Sequence, residues 1–118
     1  MLQIMPQLHI LLCYDPVDFR RGIDRLAAVC RNELGCDPYG GAVFVFRNRR
    51  GTAIKILTFD GVGYYLVLRR FSRGGLCWWP KKSTEPLTRL AAQQLQILLY
   101  QGNPDTAQFA PDWRKLTV

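Results

Sequence analysis

The chain has one histidine, His9, and only nine acidic residues among its 118. With a single imidazole and no Gly-x-Ser-x-Gly elbow, nucleophilic catalysis has little to build on. A two-metal nuclease needs clustered carboxylates. The candidates are Asp15, Asp18, Asp24 and Asp60, and structural roles account for them better. Asp18 sits where a helix N-cap belongs, Asp60 opens a turn, and Asp24 lies four residues from Arg20 and can pair with it. The four cysteines, Cys13, Cys30, Cys36 and Cys77, contain no C-x-x-C pair. His9 and Cys13 share a face of a predicted strand but lie too far apart for one metal ion. No glycine-rich phosphate cradle occurs, since Gly61 with Gly63 and Gly74 with Gly75 read as hairpin glycines. These absences predict no catalytic residue, no metal site and no cofactor. No apolar run approaches the about 18 residues that cross a membrane. Met1 to Leu12 lacks the basic start and cleavage site of an export signal. The expectation is a soluble, cytoplasmic chain with free, mostly buried thiols.

What is present is arginine. Lysine and arginine total 16, for a net charge of +7 and a pI near 9.6, and the lysines are only Lys55, Lys81, Lys82 and Lys115. Guanidinium groups favour bidentate recognition of phosphate or carboxylate, so nucleic acid leads the partner classes and an acidic protein surface follows. The most informative stretch is Phe46-Arg47-Asn48-Arg49-Arg50-Gly51, which puts arginines on a tight turn between two apolar segments. Asn48 followed three residues later by Gly51 suits a type I turn closed by a left-handed glycine. Arg69, Arg70 and Arg73 flank a second turn, with Trp78, Trp79, Lys81 and Lys82 just after it. Basic residues interleaved with aromatics can combine phosphate contacts with base stacking. The competing reading is a solvated basic rim with one of the two tryptophans in the core, since alternation along a strand sends them to opposite faces. Nothing resembles a helix-turn-helix or zinc finger.

Leu8 to Cys13 reads as a mostly buried strand. After Tyr14 to Val17, Asp18 caps a helix whose apolar stripe is Phe19, Ile23, Leu26, Ala27, Cys30 and Leu34, stopped by Gly35. Arg21 and Arg25 share a face of it with no nearby acid. Val43 to Arg47 and Thr52 to Phe59 form a hairpin, and Asp60-Gly61 is a two-residue turn into Val62 to Arg70. Those turns pair Arg47 with Thr52, Val45 with Ile54, Ile56 with Tyr65 and Ile54 with Val67. One sheet face then carries Val43, Val45, Ile54, Ile56, Tyr65 and Val67. The other carries Phe44, Phe46, Lys55, Leu57, Phe59, Tyr64, Leu66 and Leu68, too apolar to be left uncovered by a helix, a second subunit or a ligand. Leu76 to Trp79 reads as a short strand ended by Pro80. Thr84 caps a second helix with the stripe Leu87, Leu90, Ala91, Leu95, Leu98 and Leu99, ended by Gly102. The fold class is α+β: an antiparallel sheet of about four to five strands with an N-terminal strand-helix unit and a C-terminal helix. Residues 1–102 form the single domain. Residues 103–118 form a tail that Phe109 and Trp113 can anchor.

Four ordered motifs carry a family resemblance. Asp15-Pro16-Val17-Asp18-Phe19-Arg20-Arg21-Gly22-Ile23-Asp24-Arg25-Leu26 comes first, then Val45-Phe46-Arg47-Asn48-Arg49-Arg50-Gly51. Lys55-Ile56-Leu57-Thr58-Phe59-Asp60-Gly61-Val62-Gly63-Tyr64 follows, and last Leu68-Arg69-Arg70-Phe71 leading to Trp79-Pro80. Over roughly residues 8 to 100 the chain resembles the small TnpB accessory proteins of the bacterial insertion sequences numbered sixty-six. Phe59 and Val62 depart from the usual family residues, and the tail after Gly102 has no match. The resemblance implies a non-catalytic accessory for DNA transposition, working beside a separate, larger transposase. The element ends and that transposase are then the partners, with a homodimer also open. A nucleic-acid-binding role would rest on Arg47, Arg49, Arg50, Arg69, Arg70 and Arg73, with Lys81 and Lys82 in support. The alternative is a module that docks on the transposase through the Phe44, Phe46, Leu57 and Phe59 face without touching DNA.

Overall fold

The computed structural model describes residues 9–106. Leu8 and the expected tail anchors Phe109 and Trp113 lie outside the described residues. The elements run β1 (Ile10–Cys13), α1 (Ile23–Asn32), β2 (Val43–Arg47), β3 (Ala53–Phe59), β4 (Tyr64–Arg70), β5 (Leu87–Leu90) and α2 (Ala92–Leu99), with a short 3-10 turn at Pro104–Thr106. One five-stranded sheet has the order β4-β3-β2-β1-β5. β1 and β2 are parallel and every other neighbour is antiparallel. The architecture is the expected α+β.

β1 is an unbroken apolar run because it is an inner strand with both faces buried. A parallel neighbour demands a crossover, and α1 supplies it across one face. Leu26, Ala27, Val29 and Cys30 of α1 pack there on Cys13, Phe44, Phe46 and Leu57. This covers the face expected to need a cover. Phe44, Phe46 and Leu57 are at most 1% exposed, so they are core and offer no surface to a transposase. On the other face Ile10, Leu12, Val43, Val45 and Ile54 pack under Leu98 of α2 and under Phe71, Leu76, Trp78 and Trp79.

Several expected details differ. β2 pairs Val45 with Ile56 and Arg47 with Ile54, and β3 pairs Ile56 with Val67 and Ile54 with Arg69. Both registers slip by two residues because both loops are longer than expected. In the second loop Asp60 N–H donates to Gly63 O at 3.1 Å, and Asp60 Oδ1 accepts the N–H groups of Val62 and Gly63. A slip of two keeps every side chain on its expected face. Helix α1 begins at Ile23 after an uncapped Gly22. Asp18 accepts the Arg20 N–H at 2.9 Å in a local turn and pairs with Arg20, which therefore does not pair with Asp24. Leu87 and Leu90 belong to β5, hydrogen-bonded along β1, so α2 starts at Ala92 with Gln94 Oε1 accepting the Ala91 N–H. Leu76 to Trp79 forms no strand, and both tryptophans are half-buried on the α2 side of the sheet.

The 71–76 segment crosses back over the tip of the first hairpin. Phe71 N–H donates to Thr52 O at 3.1 Å, and Leu76 N–H donates to Gly51 O at 2.7 Å. A Cβ on Gly75 would sit 2.6 Å from Gly51 O, so only glycine permits this approach. Gly75→Ala is therefore expected to cost about 1–3 kcal/mol of stability, since neither backbone can yield without breaking the crossing. Urea unfolding of the two proteins checks it.

Candidate nucleic-acid interface

The first hairpin tip is built as its residue types demand. Gly51 N–H donates to Asn48 O at 3.1 Å, and Gly51 takes φ +69°. Asn48 Oδ1 accepts the N–H groups of Thr52 and Ala53, while its Nδ2 donates to Thr52 Oγ1 at 2.8 Å. Those bonds stiffen the turn and leave Arg49 and Arg50 pointing into solvent.

The second basic turn lies directly against the first. Arg70 is in register with Ala53. The Phe71 and Leu76 bonds to Thr52 and Gly51 then set the Ser72–Gly75 turn beside the Arg49–Gly51 turn. The outer side is held by Gln101, whose Nε2 donates to Arg73 O and to Gly75 O, each at 2.9 Å. Gln101 itself takes φ +62° at the end of α2, where Gly102 N–H reaches Ile97 O at 2.8 Å. A helix end thus braces the arginine turns through one amide side chain.

The eight expected basic residues divide into two groups. Arg49, Arg50, Arg70, Arg73 and Lys81 are exposed and have no acidic partner among the described residues. The other three are engaged. Arg47 is half-buried, its Nη2 donating to Tyr14 O at 3.2 Å and its guanidinium 5.4 Å from the Trp79 ring centroid. Arg69 donates from Nε to Leu99 O at 3.2 Å and lies over the Tyr100 ring. Lys82 pairs with Asp15 at 2.9 Å. The tryptophans are engaged too: Trp79 Nε1 donates to the Cys13 and Tyr14 carbonyls and Trp78 Nε1 to Asp105. They brace the core and do not form an open stacking platform.

Sequence reasoning missed two features beside this surface. An open cleft of about 440 Å³ separates Pro16–Arg20 from Asn48–Arg50. Arg20 lies on its wall, held by Asp18 through Nε at 3.1 Å and Nη2 at 2.8 Å. That guanidinium pulls the Asp18 carboxyl down to about 2, so the pair persists through the ordinary carboxylate range and is lost only as pH falls towards that value. Both groups are exposed, so the pair adds little stability; what it does is offset one cation at the cleft. The second feature is Lys55, a buried lysine whose Nζ donates to Phe19 O at 2.7 Å and Arg21 O at 3.0 Å. It ties the cleft's outer wall to β3. A lysine in the middle of an apolar strand was the available signal.

Asp18 and Asp60 are each held in a local contact, and Asp15 pairs with the distant Lys82. No three His, Cys, Asp or Glu among the described residues could hold a metal ion. Burial pushes the Cys30 thiol up to about 12, which disfavours its nucleophilic form. Among the described residues no helix is long and apolar enough to cross a membrane.

The family model described as IS66 Orf2 like protein matches residues 8–108, running past Gly102 into the expected tail. The chain belongs to the IS66 Orf2-like family. Two curated relatives come from Sinorhizobium fredii. The uncharacterized protein y4jC is 37% identical over 75 residues, 64% of each chain. The uncharacterized protein y4hO is 38% identical over 61 residues, 52% of this chain and 53% of its own. The chain thus spans under two thirds of the length of either relative. No solved structure matches it.

Lys55→Met would leave the Phe19 and Arg21 carbonyls without their shared donor. It is expected to lower stability by about 1.5–3 kcal/mol. Hydrogen exchange should accelerate first in residues 15–21, and equal protection there would show that Lys55 does not anchor the cleft wall.

Proposed function

We propose that this IS66 Orf2-like chain is a non-catalytic factor that binds the ends of an insertion sequence through phosphate contacts and assists a separate transposase. The observation that carries the reading is the junction of two arginine-bearing turns, with Arg49, Arg50, Arg70 and Arg73 exposed and lacking acidic partners among the described residues. Unpaired guanidinium groups on braced backbone suit the phosphate spacing of a nucleic-acid backbone at low ordering cost. The surface has no reading helix and no free aromatic platform, so it favours backbone contact over base recognition. The +7 net charge supports the same partner class.

Salt-titrated binding to an element-end duplex tests it. Each phosphate contact contributes about −0.9 to the slope of log affinity against log salt. Arg49→Ala with Arg50→Ala is expected to flatten that slope by about two and weaken random and element-end duplex alike. Asp18→Asn, which releases Arg20 at the cleft, is expected to act the other way and steepen the slope by about one. Unchanged binding by the double variant would remove these arginines from the interface. Absence of nucleic-acid binding at low salt, together with co-purification with the transposase, would favour docking on that protein instead.

A further inference from the structure

The two borders of the sheet are protected unequally. β5 is four residues long, follows Pro86 and carries the exposed Arg89. β4 runs seven residues without proline, and its only charges are Arg69 and Arg70 at one end. Along it Tyr65, Val67 and Leu68 are 37, 49 and 56% exposed. Natural sheets rarely leave so long and apolar an edge open.

We propose that β4 pairs with β4 of a second copy of this chain, antiparallel about a two-fold axis at Val67. The hydrogen-bond phase of the strand supports that axis. The Phe71–Thr52 and Gly63–Asp60 bonds continue the β3–β4 register, so Tyr65, Val67 and Arg69 turn their backbone groups towards β3. Tyr64, Leu66, Leu68 and Arg70 then turn theirs outward. With the axis at Val67, Tyr64 meets Arg70 of the second copy, and Leu66 meets Leu68. All four outward residues fall in hydrogen-bonded pairs, giving about eight new backbone bonds. Val67 faces its own counterpart in a close non-bonded pair.

Side chains agree with this axis. On one face leucine meets leucine at the centre; on the other, valine meets valine. At the ends Arg69 falls opposite Tyr65 and Arg70 opposite Tyr64, so no like charges meet across the pairing. A parallel pairing in register would instead stack Arg69 and Arg70 on the same residues of the second copy, a like-charge arrangement that β sheets disfavour. An isologous two-fold contact requires this kind of self-complementarity. The product is a continuous ten-stranded sheet, two copies of the five-stranded one, carrying an arginine junction on each half.

Sedimentation velocity on the full chain over a wide concentration range tests the pairing. The parent should show a reversible monomer–dimer equilibrium. Val67→Lys sets two like charges face to face on the axis and should weaken self-association roughly tenfold or more. Val67→Asp should do the same, and mixing the two variants should restore dimer, because only a residue on the axis meets its own counterpart. Leu68→Glu, at a more exposed position, should also weaken the dimer and serves if the Val67 variants do not fold. Arg49→Ala with Arg50→Ala should leave self-association unchanged, which separates this edge from the Arg49–Arg50 turn; Arg70 belongs to both surfaces. A monomer at every concentration, or a dimer indifferent to both Val67→Lys and Leu68→Glu, overturns the proposal. So does a monomer whose capture by the transposase is lost with Val67→Lys, since the edge then belongs to that protein.

Discussion

The bond from Leu76 N–H to Gly51 O is the contact on which the basic surface depends. At 2.7 Å it joins two loops that belong to different parts of the chain. Gly75 makes it possible by having no side chain, and Gln101 holds it from outside. Without this crossing, Arg49 and Arg50 would crown an isolated hairpin and Arg73 a separate loop. With it, their guanidinium groups project from adjoining backbone, where one stretch of phosphates can meet both.

The crossing in turn requires a sheet whose two faces are both occupied. Helix α1 seals one face over Phe44, Phe46 and Leu57. Helix α2, Phe71, Leu76 and the two tryptophans seal the other. Trp79 is fixed by the Cys13 and Tyr14 carbonyls and carries Arg47 over its ring, so the segment that makes the turn junction is anchored at both ends. The inner strands pay no exposure cost. Among the strands of the described residues β4 alone keeps large apolar side chains exposed, which is why the self-pairing surface falls there.

Local features were legible in the sequence and distant commitments were not. The Asn48–Gly51 turn was readable because a left-handed glycine and an asparagine side chain define it within four residues. Sheet faces were readable through the two-residue period, which survived loops longer than expected. The helix start at Asp18 misled because aspartate suits an N-cap and a local turn equally well, and the Arg20 contact decided between them. Leu87 and Leu90, three apart, fit a helix as well as a strand, and only pairing with β1 resolves the choice. The site followed the same division. Its arginines were visible as residue types, but Arg47, Arg69 and Lys82 bind groups thirty or more positions away that no local pattern reveals.

The central claim is that the two turns act together as one phosphate-binding surface. Amide chemical-shift perturbation on adding an element-end duplex at low salt tests it most directly. The account predicts shifts in Arg49 to Gly51 and Arg70 to Gly75 that grow in parallel and fade together as salt rises. Shifts confined to one turn, or centred on the Arg21 and Arg25 face of α1, would contradict it.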